Sequence, residues 1–248
     1  MRFSRVLVIA LVAVSMILVS SVALAGDEGT EQPAKEKKVA VEKTKAEMSE
    51  KEVKTEEAKP VTATLTYIPD GKGAKSTKEV PYLPEGRKIA TMTTTKGIVK
   101  LELWEDKAPN TVVNFVSLAN AGRYDGVEFH RVIDGFMAQT GDVQHKKGTG
   151  GPGYSIPAEF DAKLKHERGV LSMARASDPD SGGSQFFIML AAAPHLDGQY
   201  AAFGKVIEGM DVIDAIKKGE GGNGSVAKPD KIETLTVESV PVKSAPEK

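Results

Sequence analysis

The segment 129–142 constrains the fold of this chain more than any other part of its 248 residues. Apolar runs flank the dipeptide Asp134-Gly135, and this arrangement predicts two antiparallel strands joined by a two-residue hairpin turn. Because side chains alternate between the faces of a strand, the run 127–133 predicts a single face shared by Val127, Phe129, Arg131 and Ile133. A guanidinium placed in an apolar wall is typical of a functional site.

Four short blocks of sequence follow one another in a fixed order. They are FHRVIDGFMAQTGD at 129–142, GVLSMAR at 169–175, GSQFFI at 183–188, and LDG at 196–198 with FGKV at 203–206. Together they resemble the cyclophilin family of peptidyl-prolyl cis-trans isomerases over residues 88–240. The resemblance implies an eight-stranded barrel with an active site on its outer face.

The local patterns agree with a mostly β fold. Apolar spacing predicts a helix near 110–120, with its stripe made by Val112, Phe115, Val116 and Ala119, and a second helix near 209–218. Many short strands with only two helices favour a closed antiparallel barrel capped by those helices. Strands are predicted near 89–94, 98–104, 127–133, 136–140, 154–157, 169–174, 184–190, 201–206 and 231–240.

Residues 1–25 have the pattern of a secretory signal peptide. Arg2 and Arg5 precede the apolar run 6–19, and small residues stand before Gly26. We expect cleavage there and export of the protein to the periplasm or the medium. The alternative is a retained membrane anchor, because the run 6–24 has about 19 residues and just reaches the length that spans a bilayer.

The remaining domain boundaries follow from composition. Residues 26–60 are rich in Lys, Glu, Ala and Thr, lack aromatic residues and are expected to be a disordered, charged spacer. Alternation at 62–67, turn residues at 70–73 and a second run at 78–83 predict an added hairpin or edge segment at 61–86. The cyclophilin-like domain is predicted at 87–243, with a short tail at 244–248.

Composition also narrows the function. The net charge is −1 and the basic residues form no dense block, so the sequence does not favour binding of nucleic acid. The chain also has no cysteine. The four histidines lack the spacing of a zinc site, so we expect neither metal nor cofactor. The expected partners are unfolded or extended polypeptides that contain proline, bound by a monomer.

The resemblance carries the site residues onto this chain. It implies that Arg131 is the catalytic cation and that Gln139 steadies it and binds the substrate backbone. An apolar pocket for the proline ring and a rim for the preceding peptide complete the site. The implied substrate-binding residues are Phe136, Met137, Ala174, Arg175, Gln185, Phe187, His195, Leu196 and Tyr200.

Three of these positions depart from the pattern of eukaryotic relatives. Arg175 stands in place of Asn, His195 in place of Trp, and Tyr200 in place of His. The missing indole removes a flat surface and an N–H donor that cyclosporin uses in sensitive relatives, so we expect weaker binding of that inhibitor. Activity should persist, because Tyr200 keeps an aromatic wall and the contact at Arg175 is made largely through backbone.

Two functions are compatible with this pattern. The first is an exported isomerase that accelerates X-Pro rotation during the folding of secreted or envelope proteins. The second is a module or chaperone that binds proline-containing segments, with catalysis incidental. Arg131 and Gln139 together favour the enzyme, because a binder needs the apolar pocket but no guanidinium over its mouth.

Overall fold

A computed structural model describes residues 60–241 of the chain, which form eleven strands and two α-helices in that range. The predictions for the signal peptide, for residues 26–59 of the spacer and for the tail lie outside the described residues. Within 60–241, no helix is both long enough and apolar enough to cross a membrane. The strands are β1 (Thr62–Pro69), β2 (Ser76–Pro81), β3 (Arg87–Thr94), β4 (Gly97–Leu103), β5 (Arg131–Ile133), β6 (Met137–Thr140), β7 (Tyr154–Ser155), β8 (Val170–Met173), β9 (Phe186–Met189), β10 (Ala202–Glu208) and β11 (Ile232–Val240).

Eight of these strands form one curled antiparallel sheet in the order β11-β3-β4-β10-β8-β9-β6-β5. The segments that precede its edge strands, β5 and β11, are joined by an isolated bridge between Glu128 and Lys231, and the two strands themselves form no continuous ladder. The mostly β fold, the eight antiparallel strands and the two helices are thus confirmed. A fully closed barrel was an overstatement, because the chain becomes a regular strand only at Arg131 and leaves 127–130 irregular beside β11.

Helix α1 (Pro109–Asn120) covers the inner face of the sheet. The predicted apolar stripe is fully buried, and Phe115 packs 5.3 Å from the rings of Phe186 and Phe203. The first turn of α1 is capped from outside the helix, because the Glu159 carboxylate accepts hydrogen bonds from the Asn110 and Thr111 amides at 3.0 and 2.8 Å. A carboxylate at a helix N-terminus satisfies unpaired donors and favours the helix dipole.

Helix α2 (Met210–Asp214) is shorter than the sequence predicted. Its start is set by Gly209, whose φ of +83° is left-handed. The helix does not continue to residue 218, because the Lys217 amide donates to the Asp230 side chain at 2.8 Å and the backbone there is not helical. A side chain from another segment therefore overrides the local helical pattern.

Strands β1 and β2 form an antiparallel hairpin, and β1 also pairs with β7 in a three-stranded sheet. Leu65 and Val80 from the hairpin are buried in the main core, at 0% and 6% exposure. The Asn110 side chain on α1 bonds both the amide and the carbonyl of Thr66, at 2.8 and 3.0 Å. The hairpin is thus attached to the rest of the fold by packing and by hydrogen bonds.

Candidate active site

The strand register aligns three predicted site residues on the outer face of the sheet. Arg131 of β5 lies opposite Gln139 of β6, and Gln139 lies opposite Phe187 of β9. The row continues to Ser172 of β8. Because directly opposed residues in antiparallel strands point to the same face, the guanidinium, the amide and the ring stand side by side.

A second hydrophobic cluster, here called the outer cluster, lies beside this row. Met137, Phe187 and Leu196 are its buried members among the predicted site residues, at 2%, 5% and 7% exposure. Six of the nine predicted substrate-binding residues belong to it or pack against it. The outer cluster consists of Met137, Val170, Phe187, Met189, Ala193, Leu196 and Ala202, with Trp104, Ile133, Phe136, Leu164, Ala174 and Tyr200 packed against it.

Two local predictions about this region were wrong. Val127 and Phe129 are both fully buried, and Phe129 packs in the main core, so they do not share the outer face with Arg131 and Ile133. The strand begins only at Arg131, and alternation cannot be extended back through irregular backbone.

The turn also has three residues, 134–136, because Ile133 pairs with Met137. Phe136 therefore lies in the turn, with its side chain packed against the outer cluster.

Aromatic contacts join the other predicted residues to the outer cluster. The ring of Tyr200 meets that of Phe187 edge-on at 5.7 Å, and the exposed His195 ring stacks on Phe136 at 5.8 Å. The Arg175 guanidinium lies 4.6 Å from the centre of the Tyr200 ring and donates to the Gln199 carbonyl at 3.1 Å. The side chain of Arg175 thus supports the pocket wall.

A buried histidine supports Phe187 from one side. The His166 ring is stacked against Phe187 with centroids 6.3 Å apart. A carboxylate only accepts, so His166 Nδ1 donates to Asp197 at 3.1 Å, and its Nε2 accepts from the Ser172 hydroxyl at 3.0 Å. Burial lowers the pKa of His166, with Asp197 opposing the shift in part. The neutral ring is therefore fixed in one tautomer and orientation.

Hydrogen bonds hold Arg131 at the edge of the pocket. Its NH1 donates to Gln139 Oε1 at 3.3 Å, and its Nε donates to the Asn223 carbonyl at 2.9 Å. Gln139 in turn donates to Gln185 Oε1 at 3.0 Å, and Gln185 donates to the Gly150 carbonyl at 2.8 Å. A guanidinium has five N–H donors. Two are used by these described partners, which are neutral oxygens and leave the positive charge uncompensated.

Asp142 holds the loop 144–150 in place, and the Gly150 carbonyl of this loop accepts the hydrogen bond from Gln185. Its fully buried carboxylate accepts from six backbone amides of residues 144–150, at 2.7 to 3.2 Å. Burial raises the pKa of Asp142, but the opposing amide hydrogen bonds, led by that of His145, lower it to about 2. The carboxylate is therefore ionised under all ordinary conditions and keeps the loop closed.

The structure brings together all eleven residues that the resemblance implied. Sequence reasoning missed the supporting roles of Asp142 and His166. A signal for Asp142 existed, because an Asp followed by a turn-rich segment favours bonds from its carboxylate to the next amides. No local pattern pointed to His166. Among residues 60–241, no three His, Cys, Asp or Glu side chains cluster closely enough to hold a metal ion.

Comparisons with known proteins agree with this geometry. The profile described as "Cyclophilin type peptidyl-prolyl cis-trans isomerase/CLD" matches residues 89–237. A probable peptidyl-prolyl cis-trans isomerase of Brucella suis is 50% identical over 155 residues, which cover 58% of this chain and 79% of that protein. Peptidyl-prolyl cis-trans isomerase B of Bacillus subtilis is 49% identical over 123 residues, covering 49% and 85%.

Solved structures show the same likeness. A cyclophilin type peptidyl-prolyl cis-trans isomerase of Cryptosporidium parvum, solved in the presence of the dipeptide Ala-Pro, has a TM-score of 0.57 and 33% identity. The match covers 61% of this chain and 99% of that one. The chain belongs to the cyclophilin-type peptidyl-prolyl cis-trans isomerases, and its activity is the isomerisation of peptide bonds that precede proline in polypeptides.

Proposed function

We propose that the enzyme lowers the rotation barrier by directing the Arg131 guanidinium at the prolyl nitrogen while the outer cluster holds the proline ring. The observation that supports this most is the register that sets Arg131 and Gln139 in one row with Phe187. The row places a cation beside the apolar surface where a proline ring would be buried.

The chemistry follows from the resistance of the amide bond. Rotation is opposed by roughly 18–20 kcal/mol because the nitrogen lone pair is delocalised into the carbonyl, and X-Pro bonds exchange in tens to hundreds of seconds. A donor aimed at nitrogen can bond it only when the lone pair is localised, which happens in the twisted transition state. Such an interaction accelerates rotation because it is absent from the ground state.

The surroundings of Arg131 suit this role. Its described partners, Gln139 Oε1 and the Asn223 carbonyl, fix the guanidinium and still leave donors for substrate. The Gln139 amide is itself fixed by Gln185 at 3.0 Å. A preorganised donor needs no rearrangement when charge develops on nitrogen.

The test measures binding and rotation separately for the same peptide. Exchange NMR on an Ala-Pro peptide should show that Arg131→Ala lowers kcat/KM by about a hundredfold or more, the loss expected for one transition-state hydrogen bond of about 2–4 kcal/mol. Titration of amide shifts should show little change in peptide affinity. Arg131→Lys is the matched control, because it keeps the charge but loses the planar fork. Exchange within threefold of wild type in Arg131→Ala would refute the role of Arg131 in the rotation step.

We propose further that the substrates are exported proteins in the course of folding. The support is the signal-peptide pattern of residues 1–25 together with a chain that has no cysteine. Mass spectrometry of the protein from its native cells should find a mature N-terminus at Gly26. Recovery of an intact Met1 segment in the membrane fraction would favour the anchored alternative, and recovery in the cytosol would overturn export.

A further inference from the structure

The loop 219–226 runs beside β5 and carries the dipeptide Asn223-Gly224. No other asparagine of the chain is followed by glycine. Asparagine is a thermolabile residue, because the backbone nitrogen of the next residue can attack its side-chain amide, and glycine leaves that nitrogen unhindered. The sequence therefore contains one position at which this reaction is favoured, and Asn223 is exposed there.

The other three asparagines are held in place by the fold. All of them lie in α1, and each side-chain amide accepts one hydrogen bond through its oxygen and donates one through its nitrogen to a partner outside the helix. They are Asn110, Asn114 and Asn120. These three side chains are not free to turn towards the following amide, so they serve as internal references for Asn223.

The side chain of Asn223 is folded back over the next peptide group. The Ser225 amide donates to Asn223 Oδ1 at 3.1 Å, which closes a turn around the intervening Gly224 nitrogen. The same bond polarises the side-chain carbonyl and draws electron density away from Cγ. The carbon that is attacked is thus activated and turned towards the attacking nitrogen.

The fold also requires glycine at position 224. Its φ angle of +72° is left-handed, and a Cβ atom would overlap the Ile133 side chain and lie 3.0 Å from the Val132 carbonyl oxygen. The Gly224 carbonyl accepts from the Val132 amide at 2.8 Å. Packing against β5 therefore keeps an unhindered nitrogen directly after Asn223.

Arg131 contacts the peptide group that supplies this nitrogen. Its Nε donates to the Asn223 carbonyl at 2.9 Å. That carbonyl and the Gly224 nitrogen belong to one conjugated peptide unit, so negative charge that forms on the nitrogen is shared with the oxygen. A fixed cation at the place where charge develops lowers the barrier. The Arg131 guanidinium is thus positioned to make the Gly224 nitrogen a better nucleophile.

We propose that Asn223 is a deamidation site and that Arg131 promotes the reaction. The Gly224 nitrogen loses its proton to hydroxide and attacks Cγ of Asn223. The new N–Cγ bond forms as the Cγ–Nδ2 bond breaks, and the side-chain nitrogen takes a proton from water and leaves as ammonia. Water then opens the succinimide ring at either carbonyl, which gives aspartate or isoaspartate at position 223.

The modification would alter the surroundings of the site arginine. Isoaspartate inserts one extra carbon into the backbone, so the carbonyl that now accepts from Arg131 is displaced. Both products add a carboxylate to the residue that orients the guanidinium. We therefore expect activity to decline as the modified fraction rises. This consequence rests on the proposed role of Arg131, whereas the modification itself does not.

Peptide mapping by mass spectrometry of the full chain, aged in mildly alkaline buffer, tests the site. Deamidation should appear at Asn223 and not at the three asparagines of α1. If Asn223 stays intact in the folded protein while the chain denatured in guanidinium chloride is modified there, the fold protects this residue and the site is overturned.

Two variants test the role of Arg131 in the modification. Arg131→Gln removes the charge but keeps an N–H donor, and it should slow deamidation of the folded protein by about three- to tenfold, as expected for loss of a charge-assisted hydrogen bond. Arg131→Lys keeps the charge and should stay closer to wild type. In denaturant all three proteins should react equally, because the contact exists only in the fold. A folded Arg131→Gln rate equal to or above that of wild type would overturn the promotion by Arg131.

Exchange NMR on an Ala-Pro peptide gives the functional readout. The kcat/KM of aged wild type should fall in step with the modified fraction. Asn223→Gln needs a slower closure of a larger ring, so it should keep its own starting activity over the same period. Modification without loss of exchange, or an equal decline in Asn223→Gln, would overturn the functional consequence. The mass measurement does not depend on activity, so a failure of the proposed function is distinguishable from a failure of the site.

Discussion

Gln139 accepts a hydrogen bond from the Arg131 guanidinium at 3.3 Å. The same amide donates to Gln185 at 3.0 Å, so its oxygen and nitrogen are both assigned by their partners. Gln185 is held in turn by the carbonyls of Gly148 and Gly150. The position of the Arg131 guanidinium is therefore coupled to the loop that Asp142 organises.

We expect Gln139→Ala to lower kcat/KM by about three- to tenfold, the range for losing one or two ordinary hydrogen bonds. The loss should be smaller than that of Arg131→Ala, because the guanidinium remains but is less well fixed. A double-mutant cycle measures the coupling: in the Arg131→Ala background, Gln139→Ala should have much less effect. Equal effects in both backgrounds would show that Gln139 acts on the substrate independently of Arg131.

Phe187→Ala should reduce both stability and activity. The ring is 95% buried, given its exposure of 5%, and it contacts His166 and Tyr200 on the outer face. Removing a buried phenyl ring costs about 3–5 kcal/mol of unfolding free energy. Urea denaturation measures this loss, with the more exposed Phe160→Ala as a control that should lose much less. An unchanged midpoint for Phe187→Ala would show that the ring does not support the fold.

The sequence predicted the elements whose signals are local. The stripe of α1 and the alternation of most strands were correct because burial on one face leaves a periodic pattern. The faces of Arg131 and Phe129 were not predictable in this way, since the point at which β5 begins depends on its pairing with β6. Resemblance to a family grouped Arg131, Gln139 and Phe187 correctly, whereas the register that aligns them is visible only in the structure.

The supporting residues were harder to predict for a physical reason. Asp142 bonds amides up to eight positions later, and such a wrapped loop leaves no periodicity in the sequence. His166 acts through a stacking contact with Phe187 and a bond to Asp197, both distant along the chain. The early end of α2 likewise depends on Asp230 from another segment.

His195→Trp should strengthen cyclosporin binding. His195 is exposed and stacked on Phe136 at 5.8 Å, so a larger ring at this position can extend the flat apolar wall and add an N–H donor. Isothermal titration of the wild type should show weaker binding than in relatives with Trp, and the variant should recover part of the affinity. His195→Ala is the control for loss of the present ring. Equal affinities of wild type and His195→Trp would refute this explanation.

A chain that starts at Val61 should retain its activity on a short peptide. Residues 26–60 have the composition of a solvated spacer, and the matched family region begins at residue 89. Removal of residues 1–86 should lower the thermal stability, in contrast to the chain that starts at Val61. This larger deletion takes Leu65 and Val80 out of the core and removes the hydrogen bonds between Thr66 and Asn110. Thermal unfolding and exchange NMR on both truncations make the comparison. A folded Val61 form without peptide activity would show that the spacer contributes to the site.

Asp142→Asn should destabilise the protein in a manner that depends on pH. The folded pKa of about 2 lies below the ordinary value of 3.8, so the stabilisation is complete above the ordinary pKa and is lost as the pH falls from about 4 towards 2. The shift corresponds to about 2 kcal/mol of unfolding free energy at neutral pH. Comparison with wild type at each pH removes the common contributions of Asp197 and Asp214, whose pKa values are also lowered, by the amide of His166 and by Arg168 respectively.

Urea denaturation of both proteins at pH 7, 4, 3 and 2 measures this difference. It should be largest at pH 7 and should shrink in the acid range, where the wild-type carboxylate also loses its charge. Activity at pH 7 should fall as well, because an amide nitrogen in place of one carboxylate oxygen cannot accept from the loop amides and would release the carbonyls that hold Gln185. A stability difference that stays constant from pH 7 to pH 2 would show that the loop depends on the shape of Asp142 and not on its charge.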